Sequence, residues 1–301
     1  MVKPPTRPVL RYHGGKWKIA PWIIAQMPRH STYVEPFGGA ASVLLRKPPV
    51  EAEIYNDLDG EVVNLFRVLR DPPTAAELRR LLELTPFARA EFRWSYEPGV
   101  DALETAYKTI IRSYMGFSTD SVTRKTQTGF RANRARNKNN AGWGKHPAHE
   151  WATFADVIPD FVARLRTVVI EERDALEVIG TYDSPETLFF VDPPYMKATR
   201  GDNRHRHGYR YEMNDSQHRS LLFVLRQLQG KVIVSGYWSR LYADELSGWR
   251  TLQKAAYANC AHARTEHLWM NFPATAEPAP AVIQRPSRST QPAFAQGEFT
   301  L

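Results

Sequence analysis

Five short apolar runs rich in β-branched and aromatic residues punctuate the chain: TYVEP (32–36), AEIYN (52–56), TVVIEE (167–172), TLFFVD (187–192) and KVIVSG (231–236). Several are apolar at consecutive rather than alternate positions, which predicts strands covered on both faces. Helical periodicity fills the intervals. In DGEVVNLFRVLRD, Val62, Leu65, Phe66 and Leu69 recur at helical spacing behind Asp59, a candidate N-cap. NDSQHRSLLFVLRQLQG reads as a helix from Asn214 or Asp215 to a stop at Gly230. Strands alternating with helices predict an α/β fold built on a largely parallel sheet.

Residues 70–164 depart from that rhythm. They hold helical segments such as TAAELRRLLEL and ALETAYKTIIRSYMGF but few strand candidates. The pattern predicts a mostly helical module inserted into an α/β domain made of residues 1–69 and 165–273. From residue 274 to 301 the chain turns rich in proline and alanine, and a flexible tail is expected there.

Composition changes this picture only in part. A hydrophobic share of 43% and a charged share of 24% over 301 residues suit a soluble globular protein with a sizeable core. No apolar run reaches membrane-span length and the N-terminus lacks a signal-peptide core, so a cytoplasmic location with no membrane partner is expected. The single cysteine, Cys260, excludes an intrachain disulfide and a multi-cysteine zinc site. The formal net charge is +8. Its distribution is more informative than its sum. From Ser121 to His149 there is no acid, while Arg124, Lys125, Arg131, Arg134, Arg136, Lys138 and Lys145 are basic. A second cluster, TRGDNRHRHGYR, occupies 199–210. Each can be a solvated loop or a surface for a polyanion, and their arginine, asparagine and aromatic content favours nucleic acid.

Three strand ends carry candidate chemistry. EPFGGAAS (35–42) places Gly38 and Gly39 after a strand, where a tight turn or a closely approached ligand would need them; no GK[ST] follows, so it is not a phosphate loop. YNDLD (55–59) ends the next strand with acids that either accept from ribose hydroxyls or cap the following helix. VDPPY (191–195) is the sharpest. Two prolines force the strand to stop, leaving the Asp192 carboxylate and the Pro193 carbonyl at the carboxyl edge of the sheet, with the Tyr195 ring close by. Two fixed acceptors and a flat ring suit a planar base that bears an exocyclic amine.

Taken together, these motifs resemble the Dam-type DNA adenine N-6 methyltransferases, including phage-type and orphan members. RYHGGK (11–16) resembles the N-terminal cofactor motif, VEPFGGAAS (34–42) the glycine motif and IYNDLD (54–59) the ribose-contacting motif. IEERDALEVI (170–179) is similar to the segment that meets the cofactor's adenine, and FFVDPPY (189–195) to the catalytic motif. VSGYWSRLY (234–242) and RTEHLWMNF (264–272) resemble segments of phage-type members. The chain departs from the family at Tyr12, usually tryptophan, and at Ala41, usually the last glycine of its motif.

The resemblance implies a Rossmann-like S-adenosylmethionine-dependent methyltransferase sheet with an inserted helical DNA-recognition domain. It implies catalysis by Asp192, Pro193, Pro194 and Tyr195, with no metal required. Cofactor binding falls to Tyr12, Lys16, Glu35, Pro36, Phe37, Gly38, Gly39, Asp57, Asp174 and Asp192, although Phe37 also suits ordinary core. Tyr195 would stack on an adenine flipped out of double-stranded DNA. Arg124, Lys125, Arg131, Arg134, Arg136 and Lys138 would contact the DNA. A nucleoid-associated bacterial enzyme or a phage-encoded one fits this reading, and a homodimer is allowed but not specified. Two alternatives stay open: an N-4 cytosine methyltransferase with the same amine chemistry, and a catalytically silent DNA-binding protein.

Overall fold

The computed structural model describes residues 4–124, 126–132, 146–200, 208–257 and 263–274. Lys125, Arg134, Arg136, Lys138 and Cys260, most of the second basic cluster and nearly all of the expected tail lie outside them. Seven strands of the described residues form one sheet: β1 (Thr32–Glu35), β2 (Ala52–Asn56), β3 (Val168–Glu171), β4 (Thr187–Val191), β5 (Lys231–Tyr237), β6 (Arg250–Tyr257) and β7 (Ala263–Met270). Their order is β3-β2-β1-β4-β5-β7-β6. The first five run parallel; β7 enters antiparallel between β5 and β6. The order reverses between β1 and β4, which opens a crevice at the carboxyl ends of those two strands.

Among the described residues, ten α-helices accompany the sheet: α1 (Ala20–Ile24), α2 (Gly60–Arg70), α3 (Pro72–Leu84), α4 (Arg89–Trp94), α5 (Ala102–Met115), α6 (Pro147–Ala152), α7 (Ile158–Leu165), α8 (Ala175–Tyr182), α9 (Asp215–Leu225) and α10 (Arg240–Glu245). The apolar runs divide by the pleat. Val34, Ile54, Phe189, Val191, Val232, Val234 and Trp269 face α8, α9 and α10 in one core. Tyr33, Tyr55, Leu188, Phe190, Ile233 and Leu268 join a second core, which continues without interruption through α1, α2, α3, α5 and α7. Every residue of β4 is buried, as its unbroken apolar run requires.

Local signals set the helix starts. Asp59 caps α2 by accepting from the Glu61 amide, and Asn214 and Gln217 form a reciprocal capping box at α9. The expected stop of that helix at Gly230 is displaced: α9 ends at Leu225. Gly230 instead starts the entry to β5, where an added Cβ would come within 2.9 Å of the Phe189 ring. No described helix is long and apolar enough to cross a membrane.

Candidate active site

The turn after β1 is held by the end of β2. The Gly38 amide donates to the Asn56 carbonyl at 2.7 Å, and the Gly39 amide donates to Asp57 Oδ2 at 2.7 Å. A Cβ on Gly38 would lie 2.2 Å from the Tyr55 ring, so close strand packing alone requires glycine there. Gly39 and Ala41 both adopt left-handed backbone, with φ of +47° and +50°. Ala41 thus keeps the conformation for which glycine is favoured. Asn56 ties three strand ends together: its Nδ2 donates to the Pro36 and Arg173 carbonyls, and its Oδ1 accepts from the Arg173 amide. Asp57 Oδ1 accepts from the Asp59 amide at 2.8 Å, so both Asp57 oxygens brace backbone. Burial raises the Asp57 pKa against these donors.

Asp59 differs. Its Oδ1 takes the Glu61 amide and Arg210 Nη1, at 3.2 and 2.8 Å, while its buried Oδ2 has no partner. Burial pushes its carboxyl up to about 6, opposed by Arg210. Both acids line a cavity of about 560 Å³ with Tyr12, Lys16, Phe37 and Asp174.

At the end of β4 a further acid, the half-buried Asp192, faces the same cavity. Lys16 Nζ sits 2.7 Å from Asp192 Oδ2 and donates to the Gly14 carbonyl at 2.7 Å. Asp192 Oδ1 is buried and unpartnered. Burial raises this carboxyl to about 6; Lys16 pulls it down and Glu266 pushes it up. Burial alone would lower the Lys16 ammonium, but Asp192 and Glu266 outweigh that and raise it. Tyr195 is only 7% exposed. Its hydroxyl donates to Glu266, which also accepts from Ser235 at 2.7 Å; its ring packs edge-on to Tyr237 and lies 4.8 Å from the Lys16 ammonium. The arrangement holds one free carboxylate oxygen, oriented by an ammonium, at the edge of a cavity lined with aromatic rings and backbone turns.

The model of the D12 class N6 adenine-specific DNA methyltransferases matches residues 12–249. The chain belongs to this family. It is 25% identical over 221 residues to the modification methylase LlaI of Lactococcus lactis subsp. lactis, and 24% identical over 226 residues to the modification methylase StsI of Streptococcus sanguinis. Those stretches cover 73% and 71% of this chain but only 34% and 32% of the relatives, so the chain spans about a third of their length.

Among the residues expected to serve a D12 methyltransferase site, the cavity gathers Tyr12, Lys16, Glu35, Pro36, Phe37, Gly38, Gly39, Asp57, Asp174, Asp192 and Pro194. Pro193 and Tyr195 are buried beside it rather than in its lining. Glu35 Oε1 accepts from Tyr33 and from the Leu44 amide, and burial raises its carboxyl to about 7. Asp174 caps α8 through the Leu176 amide at 2.8 Å while facing the cavity. Arg124 pairs with Asp120 at 2.8 Å and Arg131 with Glu150 at 2.7 Å, away from the cavity lining.

Sequence reasoning gave no individual role to Asn56, Tyr237 or Glu266, and took Tyr209 and Arg210 only as members of the cluster at 199–210, a loop or a nucleic-acid surface. Glu266 stands in RTEHLWMNF between Thr265 and His267, where nothing local marks it as buried. Arg210 was counted in the basic cluster at 199–210, yet its guanidinium turns inward to Asp59 and Glu61.

Proposed function

We propose that this protein transfers a methyl group from S-adenosylmethionine to the N-6 amine of adenine in double-stranded DNA. The observation that carries the reading is Asp192 Oδ1, a buried acceptor with no partner at the end of the DPPY strand, whose sister oxygen is held by Lys16. An orphaned oxygen of that kind is costly to keep, by about 1–3 kcal/mol, and is accounted for if a substrate amine completes it.

The cavity suits the cofactor. Its walls offer the Phe37–Gly39 turn for close backbone approach, acids at the β2 end for sugar hydroxyls, Asp174 and its neighbours for a purine, and Lys16 with Tyr12 near the methionine end. When bound, S-adenosylmethionine supplies an electrophilic methyl on sulfur. Adenine's exocyclic nitrogen is a weak nucleophile because its lone pair is delocalised into the ring. Asp192, fixed by Lys16, accepts one amine hydrogen, and the Pro193 carbonyl is the second acceptor. Both contacts localise the lone pair on nitrogen and aim it, so positioning and electrostatics provide the catalysis. Reaching that amine in a duplex requires the base to leave the stack, and the ring proposed to stack on it is Tyr195, held beside the cavity by Glu266 and Tyr237.

The segment 70–164 is the DNA-recognition region in this reading. Arg124 and Arg131, with Lys125, Arg134, Arg136 and Lys138, supply its phosphate and base contacts. Neutralising Arg131, Arg134 and Arg136 should weaken DNA binding and flatten its salt dependence; an unchanged slope places the DNA surface elsewhere. The reading itself is tested by incubating the protein with methyl-labelled S-adenosylmethionine and duplex DNA, then digesting to nucleosides. Label in N-6-methyladenine supports it. Label in N-4-methylcytosine, or none at all, overturns it.

A further inference from the structure

Glu266 lies on β7, beyond the residues 12–249 that the family model matches. β7 runs antiparallel beside β5, two strands from β4, with Glu266 directly opposite Tyr237. Alternation along the strand puts Glu266 on the side of the sheet that carries Leu268 and Met270 into the second core, and the acid is only 4% exposed. A carboxylate enclosed to that extent is costly unless donors and an opposite charge answer it. Here they do. Its Oε1 accepts from the Tyr195 hydroxyl and from Ser235 Oγ, the latter at 2.7 Å, and its charge acts on the Lys16 ammonium.

Tyr195 is thereby held at three points. Glu266 takes its hydroxyl, Tyr237 stands edge-on at 4.6 Å between ring centroids, and the Lys16 ammonium lies over the ring at 4.8 Å. The same ammonium holds Asp192 Oδ2 at 2.7 Å, so the ring is set against the carboxylate whose other oxygen is bare. A phenol bonded to a carboxylate cannot swing without breaking a charge-assisted hydrogen bond. We propose that Glu266 is a positioning residue for methyl transfer, which fixes Tyr195 through its hydroxyl so that an adenine laid on the ring meets Asp192 Oδ1 in one orientation. The proposal rests on the N-6 transfer reading above. Glu266 stands outside the cavity lining, so its effect falls on the transfer step and not on cofactor binding.

Steady-state methyl transfer by the full chain to duplex DNA free of N-6-methyladenine tests it, beside S-adenosylhomocysteine affinity measured by calorimetry. Glu266→Gln keeps the shape and an acceptor but removes the charge, and kcat should fall about fivefold; Tyr195→Phe removes the hydroxyl, and kcat should fall about 30-fold. In both, KM for S-adenosylmethionine and S-adenosylhomocysteine affinity should stay within about twofold of wild type. Both changes weaken the same bond, so the double variant should be no slower than Tyr195→Phe alone. Thermal unfolding of each variant separates a transfer defect from a folding defect. Wild-type kcat in Glu266→Gln, a loss carried by KM with kcat unchanged, or losses that multiply in the double variant overturn the proposal while leaving the N-6 transfer reading intact. Wild-type protein that places no methyl on adenine overturns that reading, and the proposal with it.

Discussion

Two buried clusters of acid and base sit at opposite edges of the same sheet and are finished differently. At the amino edge Glu53 is enclosed by Lys47 and Arg164. Its Oε1 accepts from Lys47 at 2.6 Å and Arg164 at 2.8 Å, and its Oε2 accepts from Arg164 at 2.6 Å. Arg164 Nε lacks a partner, but neither Glu53 oxygen does. At the carboxyl edge Asp192 and Asp59 each satisfy one oxygen and leave the other buried and bare. Both clusters contain a lysine or arginine, a carboxylate and a neighbouring tyrosine. Composition therefore does not separate the two clusters; the unfilled carboxylate oxygen at the cavity does.

The largest effect that would break this comparison is on stability. Arg164→Ala strands the Glu53 charge and should cost about 3–5 kcal/mol in denaturant unfolding, without altering S-adenosylhomocysteine affinity of the folded protein. Asp192→Asn retains an oxygen for Lys16 and should cost under about 1 kcal/mol. Equal losses from the two would erase the distinction.

Gly38→Ala comes next, because it strikes packing and site together. The new methyl meets the Tyr55 ring and lies 3.0 Å from the Asn56 carbonyl, so β1 and β2 must part at their ends. We expect about 1–3 kcal/mol of destabilisation together with weaker cofactor binding; a change in only one of the two would uncouple the turn from the pocket.

Acidification gives a smaller, graded effect. Burial holds the Asp192 pKa at about 6, with Lys16 lowering it and Glu266 raising it. The ionised form is the acceptor, so methyl transfer should be level above that pH and fall about tenfold per unit below it. A rate that rises on acidification would mean that the protonated form is the active one. The smallest effect belongs to Ala41→Gly. Relief of the left-handed backbone is offset by the lost burial of a methyl group, and the net change should stay within about 1 kcal/mol.

Much of the carboxyl edge was legible in the sequence because it is written in local motifs. The glycine turn, YNDLD and VDPPY each carry their geometry within a few residues, and the five parallel strands stand out as apolar runs. What was not legible depends on distant partners. Arg210 meets Asp59 across 151 positions, and within its own segment it looks like one more basic residue of a loop. Glu266 meets Tyr195 across 71 positions from a strand whose alternation is broken by that same buried acid. The β6–β7 hairpin escaped for a related reason: β6 lies at the sheet edge, and Gln253 and Lys254 on it are exposed, so it lacks an apolar run. The different bonding of the two acids, Asp57 with both oxygens on backbone and Asp59 with one bare, was likewise hidden, since spacing alone does not separate them.

The central claim is that the bare oxygen of Asp192 is the acceptor for the target amine. Methyl transfer to adenine in duplex DNA by Asp192→Ala, measured beside DNA binding of the same variant, tests it most directly. With that acceptor removed, transfer should fall by at least about 1000-fold while DNA binding is largely kept. Full activity in Asp192→Ala would contradict it.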